Sequence, residues 1–273
     1  MYGTIFVSDD GSQSEEEDPL PLPTLTENPL HHPDCCLGLS ASLLGTILDI
    51  LQPHIASESS PTGTQRKTKC LSIGSGTGLF EALLRNYAPG LLEVHGLEVS
   101  SSTNANKYLP KHMRHTVPST STFYEEASEY DVWLFVYPRD PRLVRRYREV
   151  ASENEDPTMI LFLGPKADFL PPYGDNDEAA AAENEEKPVQ ETFAAVLGSF
   201  SDHIEVCQEF SRHEYGLLNV PASQEPRLGQ EQSVHDSSNK TSHNKPFRSS
   251  IYSSADIGLT SYEILCVLRQ CDG

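Results

Sequence analysis

The residues of this sequence that are best placed to do chemistry are three closely spaced glycines and one acid. Gly74, Gly76 and Gly78 form the pattern G-x-G-x-G between a segment that is typical of a strand and one that is typical of a helix. Glycines let the backbone turn tightly and approach a ligand closely, and a helix that starts there offers free N–H groups. Glu98 lies 20 residues beyond Gly78, where a carboxylate can accept hydrogen bonds from both ribose hydroxyls. The pattern indicates a ligand site; the alternative is a tight turn that binds nothing.

This loop must be positioned by elements that alternate between strand and helix patterns. Such alternation predicts a parallel sheet covered on both faces, and hence an α/β three-layer fold. The last two strands lack a helix between them, so the last strand is expected to lie antiparallel beside its predecessor. The predicted strands are 69–73, 92–97, 114–117, 131–136, 159–163, 204–210 and 262–268, and the predicted helices are 44–55, 79–87, 103–108, 141–150 and 188–199.

Composition and charge limit the classes of protein that fit. The chain of 273 residues has 37% hydrophobic residues and a formal net charge of −20, which disfavours binding to nucleic acid and to anionic lipid. No apolar run approaches the roughly 18 residues of a membrane span, and the first residues lack a signal-peptide pattern. Cysteines inside apolar strands suit reduced thiols. We therefore predict an intracellular, cytoplasmic protein, with a nuclear location left open.

Three polar stretches are expected to be disordered, because their low hydrophobicity cannot offset the entropy of ordering them. They are an acidic N-terminal tail, 1–34, an insert at 171–187 in which acids flank a run of alanines, and a second insert at 216–258 that is rich in Ser, Asn and Gln. What remains is a single domain, 35–270, which contains both inserts. The acidic stretches also offer a surface for a protein partner.

The glycine pattern and the order of elements resemble class I S-adenosylmethionine-dependent methyltransferases, over roughly residues 36–210 and 259–270. A dinucleotide-binding fingerprint would place its third glycine at position 79, where the chain has Leu79. The resemblance implies the Rossmann-like methyltransferase fold, with a mostly parallel seven-stranded sheet and an antiparallel last strand. It also implies S-adenosyl-L-methionine as the cofactor.

The resemblance implies a role for each residue around the loop. The three glycines, with Ser75 and Thr77 between them, would lie against the methionine part of the cofactor. Glu98 would hold its ribose, and Val99 would flank its adenine. Ser72 stands two residues before the first glycine, where the family usually carries an acid that helps to position the amino group of the cofactor.

Two departures from the family pattern keep a second function open. Ser72 replaces the usual acid, and no acid or amide that could contact the adenine amino group is evident at 116–119. The first hypothesis is a methyltransferase that acts on an O, N or S atom of a small-molecule acceptor. The alternative is a catalytically inactive, methyltransferase-like scaffold or interaction protein. A nicotinamide-dependent oxidoreductase is a third hypothesis, which Leu79 disfavours.

In this fold the acceptor is expected at the carboxyl end of the strand 131–136. Methyl transfer to an atom that is already nucleophilic needs mainly proximity and alignment, whereas a hydroxyl acceptor also needs a base. Tyr137 and Asp140 follow the strand and are the candidate catalytic residues, with His112 and His115 as further candidate bases. Asp140 is equally suited to cap the helix that follows it.

Two other clusters have chemical potential. Arg142, Arg145 and Arg146 share one face of the helix that follows Asp140, which indicates either an anchor for an anionic group or a solvated face. The segment 31–36 has His, Asp and Cys side chains, but its spacing matches no common zinc pattern. We predict no metal site, a small-molecule substrate, and neither nucleic acid nor membrane as partner.

Overall fold

A computed structural model of the protein describes residues 20–57, 66–151, 157–169, 192–200, 203–204, 247–252 and 257–270. The strands are β1 (Leu30–His32), β2 (Cys35–Leu39), β3 (Thr68–Ile73), β4 (Leu92–Val99), β5 (Arg114–Val117), β6 (Val132–Val136), β7 (Met159–Pro165), β8 (His203–Ile204), β9 (Phe247–Tyr252) and β10 (Glu263–Gln270). The helices are α1 (Ala41–Ser57), α2 (Leu79–Tyr87), α3 (Pro141–Ala151), α4 (Lys166–Phe169) and α5 (Phe193–Gly198).

Eight of these strands form one sheet in the order β5-β4-β3-β6-β7-β10-β9-β8. β10 pairs antiparallel with both β7 and β9, and the other strand pairs of this sheet that the structure describes are parallel. The predicted mostly parallel sheet with an antiparallel last strand is therefore confirmed. β1 and β2 form a separate antiparallel pair.

The sheet is covered on both faces, which confirms the predicted three layers. In β6, Leu134 packs into a core cluster with residues of α1 and α2. Trp133 and Phe135 point to the other side, where they pack with Tyr147 of α3. Both faces of this strand are buried, as expected of a parallel strand with helices on each side.

The end of the sheet differs from the prediction. β9 lies within the stretch 216–258 that was predicted to be disordered, and it separates β10 from β8. The expected hairpin between 204–210 and the last strand is therefore wrong, and the sheet has eight strands rather than seven. Phe247, Ser249 and Ile251 are buried on alternate positions, but the serines in this segment weaken its apolar pattern. The insert 171–187 lies outside the described residues.

The predicted N-terminal tail is also wrong in part, because its last residues have defined structure. Residues 1–19 lie outside the described part of the chain. From residue 20 onward, Leu22 and Leu25 pack against the larger core cluster, and β1 pairs with β2. Pro21 and Pro23 weaken any helix or strand pattern here, so the sequence did not indicate that this segment packs against the core.

Turns replace the helix that was predicted at 103–108. Within them Asn106 is buried and has a positive φ of 53°. Its side-chain amide donates to the carbonyl of Gly96 in β4 at 2.9 Å, and its backbone N–H donates to the carbonyl of Gly76 at 2.9 Å. Its Oδ1 accepts from Ser75 Oγ at 2.6 Å. Asn106 thus joins the glycine loop to the neighbouring strand.

A group of polar rings lies between β4 and β5. His95 Nδ1 is 2.7 Å from His115 Nε2, and His95 Nε2 is 2.9 Å from a carboxylate oxygen of Glu93. His115 Nδ1 is 2.9 Å from the hydroxyl of Tyr124. Burial, with a contribution from His95, lowers the pKa of His115, although Glu126 opposes this shift. The fold therefore favours neutral His115.

We predict that Gly96→Ala destabilises the fold by about 1–3 kcal/mol, the usual cost of overpacking. A Cβ at this position would lie 2.0 Å from Asn106 Oδ1, so Asn106 would have to leave its hydrogen bonds. Gly45→Ala is the control, because its Cβ would meet a single neighbouring atom, Tyr87 Oη, at 3.8 Å, and alanine favours a helix. Urea unfolding measures both variants, and equal stability of the two would contradict the prediction.

We also predict that His115 contributes a loss of stability as the pH falls from about 7 to 5. His115 has a lower pKa in the fold than its usual value of 6.5, so protonation below that value favours the unfolded chain. His115→Gln should remove this contribution and so gain stability relative to wild type at pH 5.5, whereas His112→Gln, at an exposed position, should not. Urea midpoints at pH 7.5 and 5.5 provide the measurement; parallel losses in wild type and His115→Gln would refute the assignment.

Candidate functional site

The glycine loop lies at the point where the chain changes direction across the sheet. β3 lies between β4 and β6, with β5 beyond β4 and β7 beyond β6. In open α/β sheets, ligands bind outside the carboxyl ends of the strands at such a switch point. The loop that leaves β3 and the turn that leaves β6 are therefore at the same edge of the sheet.

The conformation of the loop requires glycine and leaves space above it. Gly74, Gly76 and Gly78 have φ values of 80°, 58° and 77°, which favour residues without a Cβ. A Cβ added at Gly74 or Gly76 would have no atom within 4 Å, whereas one at Gly78 would meet Asn106 at 3.1 Å. The first two glycines thus border open space, and the third packs against the protein.

Glu98 is fixed against this loop. One carboxylate oxygen accepts from the backbone N–H of Gly76 at 2.8 Å, and the other accepts from that of Val99 at 2.8 Å. Each oxygen retains capacity for a further hydrogen bond. The structure therefore brings together the acid and the glycines, as their spacing predicts. Val99 is half-buried beside them.

The two hydroxyl side chains of the loop bind within the protein. Ser75 donates to Asn106, and Thr77 Oγ1 donates to the backbone carbonyl of Asp34 at 2.6 Å. Asp34 is itself held by Lys107 Nζ at 2.8 Å and by the hydroxyl of Tyr108 at 2.7 Å. The hydrogen bond from Lys107, and then that from Tyr108, lowers the pKa of Asp34. The hydroxyls of Ser75 and Thr77 thus fix the loop and the segment that approaches it.

Ser72 leads to a residue that the sequence did not single out. It is fully buried and donates to a carboxylate oxygen of Glu81, in the first turn of α2, at 2.5 Å. Glu81 is 1% exposed, and its second oxygen has no hydrogen-bond partner. Burial raises the pKa of Glu81 to about 7, against an opposing effect of the Ser72 hydrogen bond. In the sequence, Glu81 is an acid among apolar residues of a helix, and this is the one signal that could have identified it as buried.

Tyr137, a candidate base, is paired with a second acid that sequence reasoning missed. It has a positive φ of 51°, and its hydroxyl donates to Glu263 in β10 at 2.5 Å. Glu263 is fully buried and also accepts from the backbone N–H groups of Gly38 and Thr260, at 3.0 and 3.1 Å. Burial and then this hydrogen bond raise the pKa of Tyr137. The phenol therefore keeps its proton, which favours a positioning role over the role of a base.

Asp140, the other candidate catalytic residue, caps α3. It accepts from the backbone N–H of Arg142 at 2.9 Å and forms an ion pair with the guanidinium of Arg142 at 2.6 Å. The hydrogen bond from Arg142 lowers the pKa of Asp140, so the carboxylate is a weak base. Arg142, Arg145 and Arg146 line one pocket of about 650 Å³ with Asp140, which shows that the three arginines share a face as predicted.

The thiol at the start of β2 is a poor nucleophile, because burial raises the pKa of Cys35 to about 12.

Within the described ranges, no three His, Cys, Asp or Glu side chains are grouped so that they could hold a metal ion. Among the helices that the structure describes, none has the length and apolar character needed to cross a membrane.

Comparisons with known proteins find methyltransferases of low similarity. The sugar N-methyltransferase KedS8 from Streptoalloteichus is 16% identical over 45% of this chain and 47% of that chain, with a TM-score of 0.32. The plantazolicin methyltransferase BpumL in complex with SAH is 15% identical over 45% and 48%, with a TM-score of 0.31. The mitomycin 7-O-methyltransferase MmcR is 18% identical over 45% and 37%, with a TM-score of 0.29. The chain thus spans less than half the length of these structures. No family model and no curated protein matches the sequence.

The topology of the sheet determines the fold. β3 is followed by β4 and β5 on one side and by β6 and β7 on the other, and β10 lies antiparallel between β7 and β9. The glycine loop leaves β3 at the switch point, and Glu98 ends the adjacent strand. The chain therefore has a Rossmann-like, three-layer α/β fold with a mostly parallel sheet, in which the glycine loop lies at the switch point.

Proposed function

We propose that the protein is an S-adenosylmethionine-dependent methyltransferase that acts on an O, N or S atom of a small-molecule acceptor. The observation that carries the proposal is the open space over Gly74 and Gly76, directly beside the carboxylate of Glu98. Backbone N–H groups and an acid at this switch point suit a nucleoside with a ribose and a polar tail.

The residues present fit this cofactor. The loop between β3 and α2 would hold the methionine part, because its glycines leave room for close approach. The remaining lone pairs of Glu98 can accept from two ribose hydroxyls, and Val99, next to the acid in the chain, would flank the adenine. When bound, the cofactor supplies an electrophilic methyl group.

The protein would then have to align the acceptor at the turn between β6 and α3. Proximity and alignment alone lower the barrier for an atom that is already nucleophilic. Tyr137 is held by Glu263 and Asp140 by Arg142, so neither is placed as a strong base. This arrangement favours an amine or thiol acceptor over an alcohol.

A non-catalytic scaffold is the second candidate function. It is favoured by the same two contacts, because both candidate catalytic side chains are engaged within the protein. Binding of S-adenosylhomocysteine without methyl transfer to any acceptor in a panel of amines, thiols and hydroxyl compounds would support the scaffold. Transfer of a labelled methyl group would exclude it.

We predict that wild-type protein binds S-adenosylhomocysteine and that Gly76→Ala weakens this binding at least tenfold, because the new Cβ enters the open space over the loop. Gly90→Ala is the matched control. Gly90 also has a positive φ, 85°, and no atom within 4 Å of an added Cβ, so the two variants share a backbone cost of about 1 kcal/mol. Calorimetry at matched stability measures the affinities, and absence of binding to wild type would overturn the proposed function.

Tyr137→Phe is expected to lower the free energy of unfolding by about 1–3 kcal/mol, because it removes a hydrogen bond to a buried carboxylate. The remaining partners of Glu263 are backbone N–H groups, so the turn before α3 loses its side-chain anchor. Tyr87→Phe serves as the control at a position that is 45% exposed and should change stability by less than about 0.5 kcal/mol. Similar urea midpoints for the two variants would argue against the anchoring role.

A further inference from the structure

We propose, as a deepening of the proposed function, that Glu81 is the carboxylate that pairs with the ammonium group of the cofactor's methionine part. Strand β3 carries Ser72 two residues before the first glycine of the loop, and a serine hydroxyl brings no charge. The carboxylate is supplied instead from the first turn of α2.

The contacts of Glu81 leave one oxygen without a partner. Its Oε1 accepts from Ser72 Oγ at 2.5 Å, and its Oε2 is buried with no hydrogen bond. A buried oxygen in this condition costs about 1–3 kcal/mol of stability. A functional reason for the cost is a partner that arrives with the ligand.

The position of Glu81 links it to the glycine loop. Ser72 lies two residues before Gly74, and Glu81 lies three residues after Gly78, so the hydrogen bond between them joins the two ends of the loop. The hydrogen bond thus spans the base of the loop over which Gly74 and Gly76 leave open space.

No cationic side chain of the described residues pairs with the carboxylate of Glu81. Its described neighbours are Ser72 in β3, Glu98 in β4 and Cys35 in β2. None of the hydrogen bonds and ion pairs of the described residues brings Lys, Arg or His to its carboxylate. Burial, opposed by Ser72 and reinforced by Glu98, raises the pKa of Glu81 to about 7. At neutral pH about half of the molecules therefore hold a proton where a cation could lie.

The ligand chemistry supplies such a cation. In S-adenosylhomocysteine the α-ammonium is the one cationic group at neutral pH, whereas 5′-methylthioadenosine has the same nucleoside without the amino-acid tail. An ammonium beside Glu81 favours the ionised carboxylate. Binding of the first ligand should therefore displace the proton of Glu81, and binding of the second should not.

The test is calorimetry of wild-type protein at pH 7 with both ligands, in two buffers that differ in their enthalpy of ionisation. S-adenosylhomocysteine should release up to about half a proton per molecule bound, and 5′-methylthioadenosine should release none. Because both ligands carry the ribose, a change at Glu98 would affect both equally. Equal proton release with the two ligands would overturn the inference, and this measurement needs no variant.

Variants provide an independent arm. Glu81→Gln should lower the affinity for S-adenosylhomocysteine at least tenfold and abolish its proton release, while the affinity for 5′-methylthioadenosine stays within about twofold, a selectivity that a structural role would not produce. Glu93→Gln, at an acid that pairs with His95 instead, is the matched control and should change neither affinity. The double variant Ser72→Asp, Glu81→Gln returns the carboxylate to β3 and should restore discrimination between the ligands.

The outcomes separate the two proposals. If wild type binds neither ligand, the proposed function fails and this inference fails with it. If wild type binds S-adenosylhomocysteine but Glu81→Gln retains full affinity for it, the inference is wrong and the proposed function stands.

Discussion

The hydrogen bonds of Asn106 are the constraint on which the geometry of the site depends. A loop with positive-φ glycines at three alternate positions has only two side chains of its own, Ser75 and Thr77, so neighbouring groups must help to hold its shape. Asn106 holds the loop with three hydrogen bonds, which join it to Gly76, Ser75 and Gly96. The absence of a side chain at Gly96 is what lets this residue lie so close to β4. Glu98 completes the support from the end of the same strand.

Two buried acids extend this support across the sheet. Glu81 links α2 to β3, and Glu263 links β10 to the turn that holds Tyr137. Burial removes water from each carboxylate, which lowers the stability of the fold, whereas an apolar residue at the same position would not have this desolvation cost. Both acids lie at the edge of the sheet that carries the glycine loop and Tyr137.

Features that depend on local sequence could be predicted, and features that depend on distant partners could not. The glycine loop, Glu98 and the buried strands follow from short patterns of residue types, because turn conformation and strand burial are local properties. Asn106 was assigned to a helix, because its buried contacts with Gly76 and Gly96 override the local pattern. Glu263 was missed because its partners, Gly38 and Tyr137, are 225 and 126 residues away. β9 was missed because its serines weaken the alternation that its burial obeys.

The central place of β10 has a consequence for how the protein is assembled. β9 and β8 join the main body of the sheet through β10, although both precede it in the chain. During synthesis these two strands must therefore wait, unpaired with β7, until the residues of β10 have left the ribosome. The same residues bring Glu263 to Tyr137 and Gly38. The joining of β8 and β9 to the sheet and the anchoring of Tyr137 by Glu263 therefore depend on the same strand.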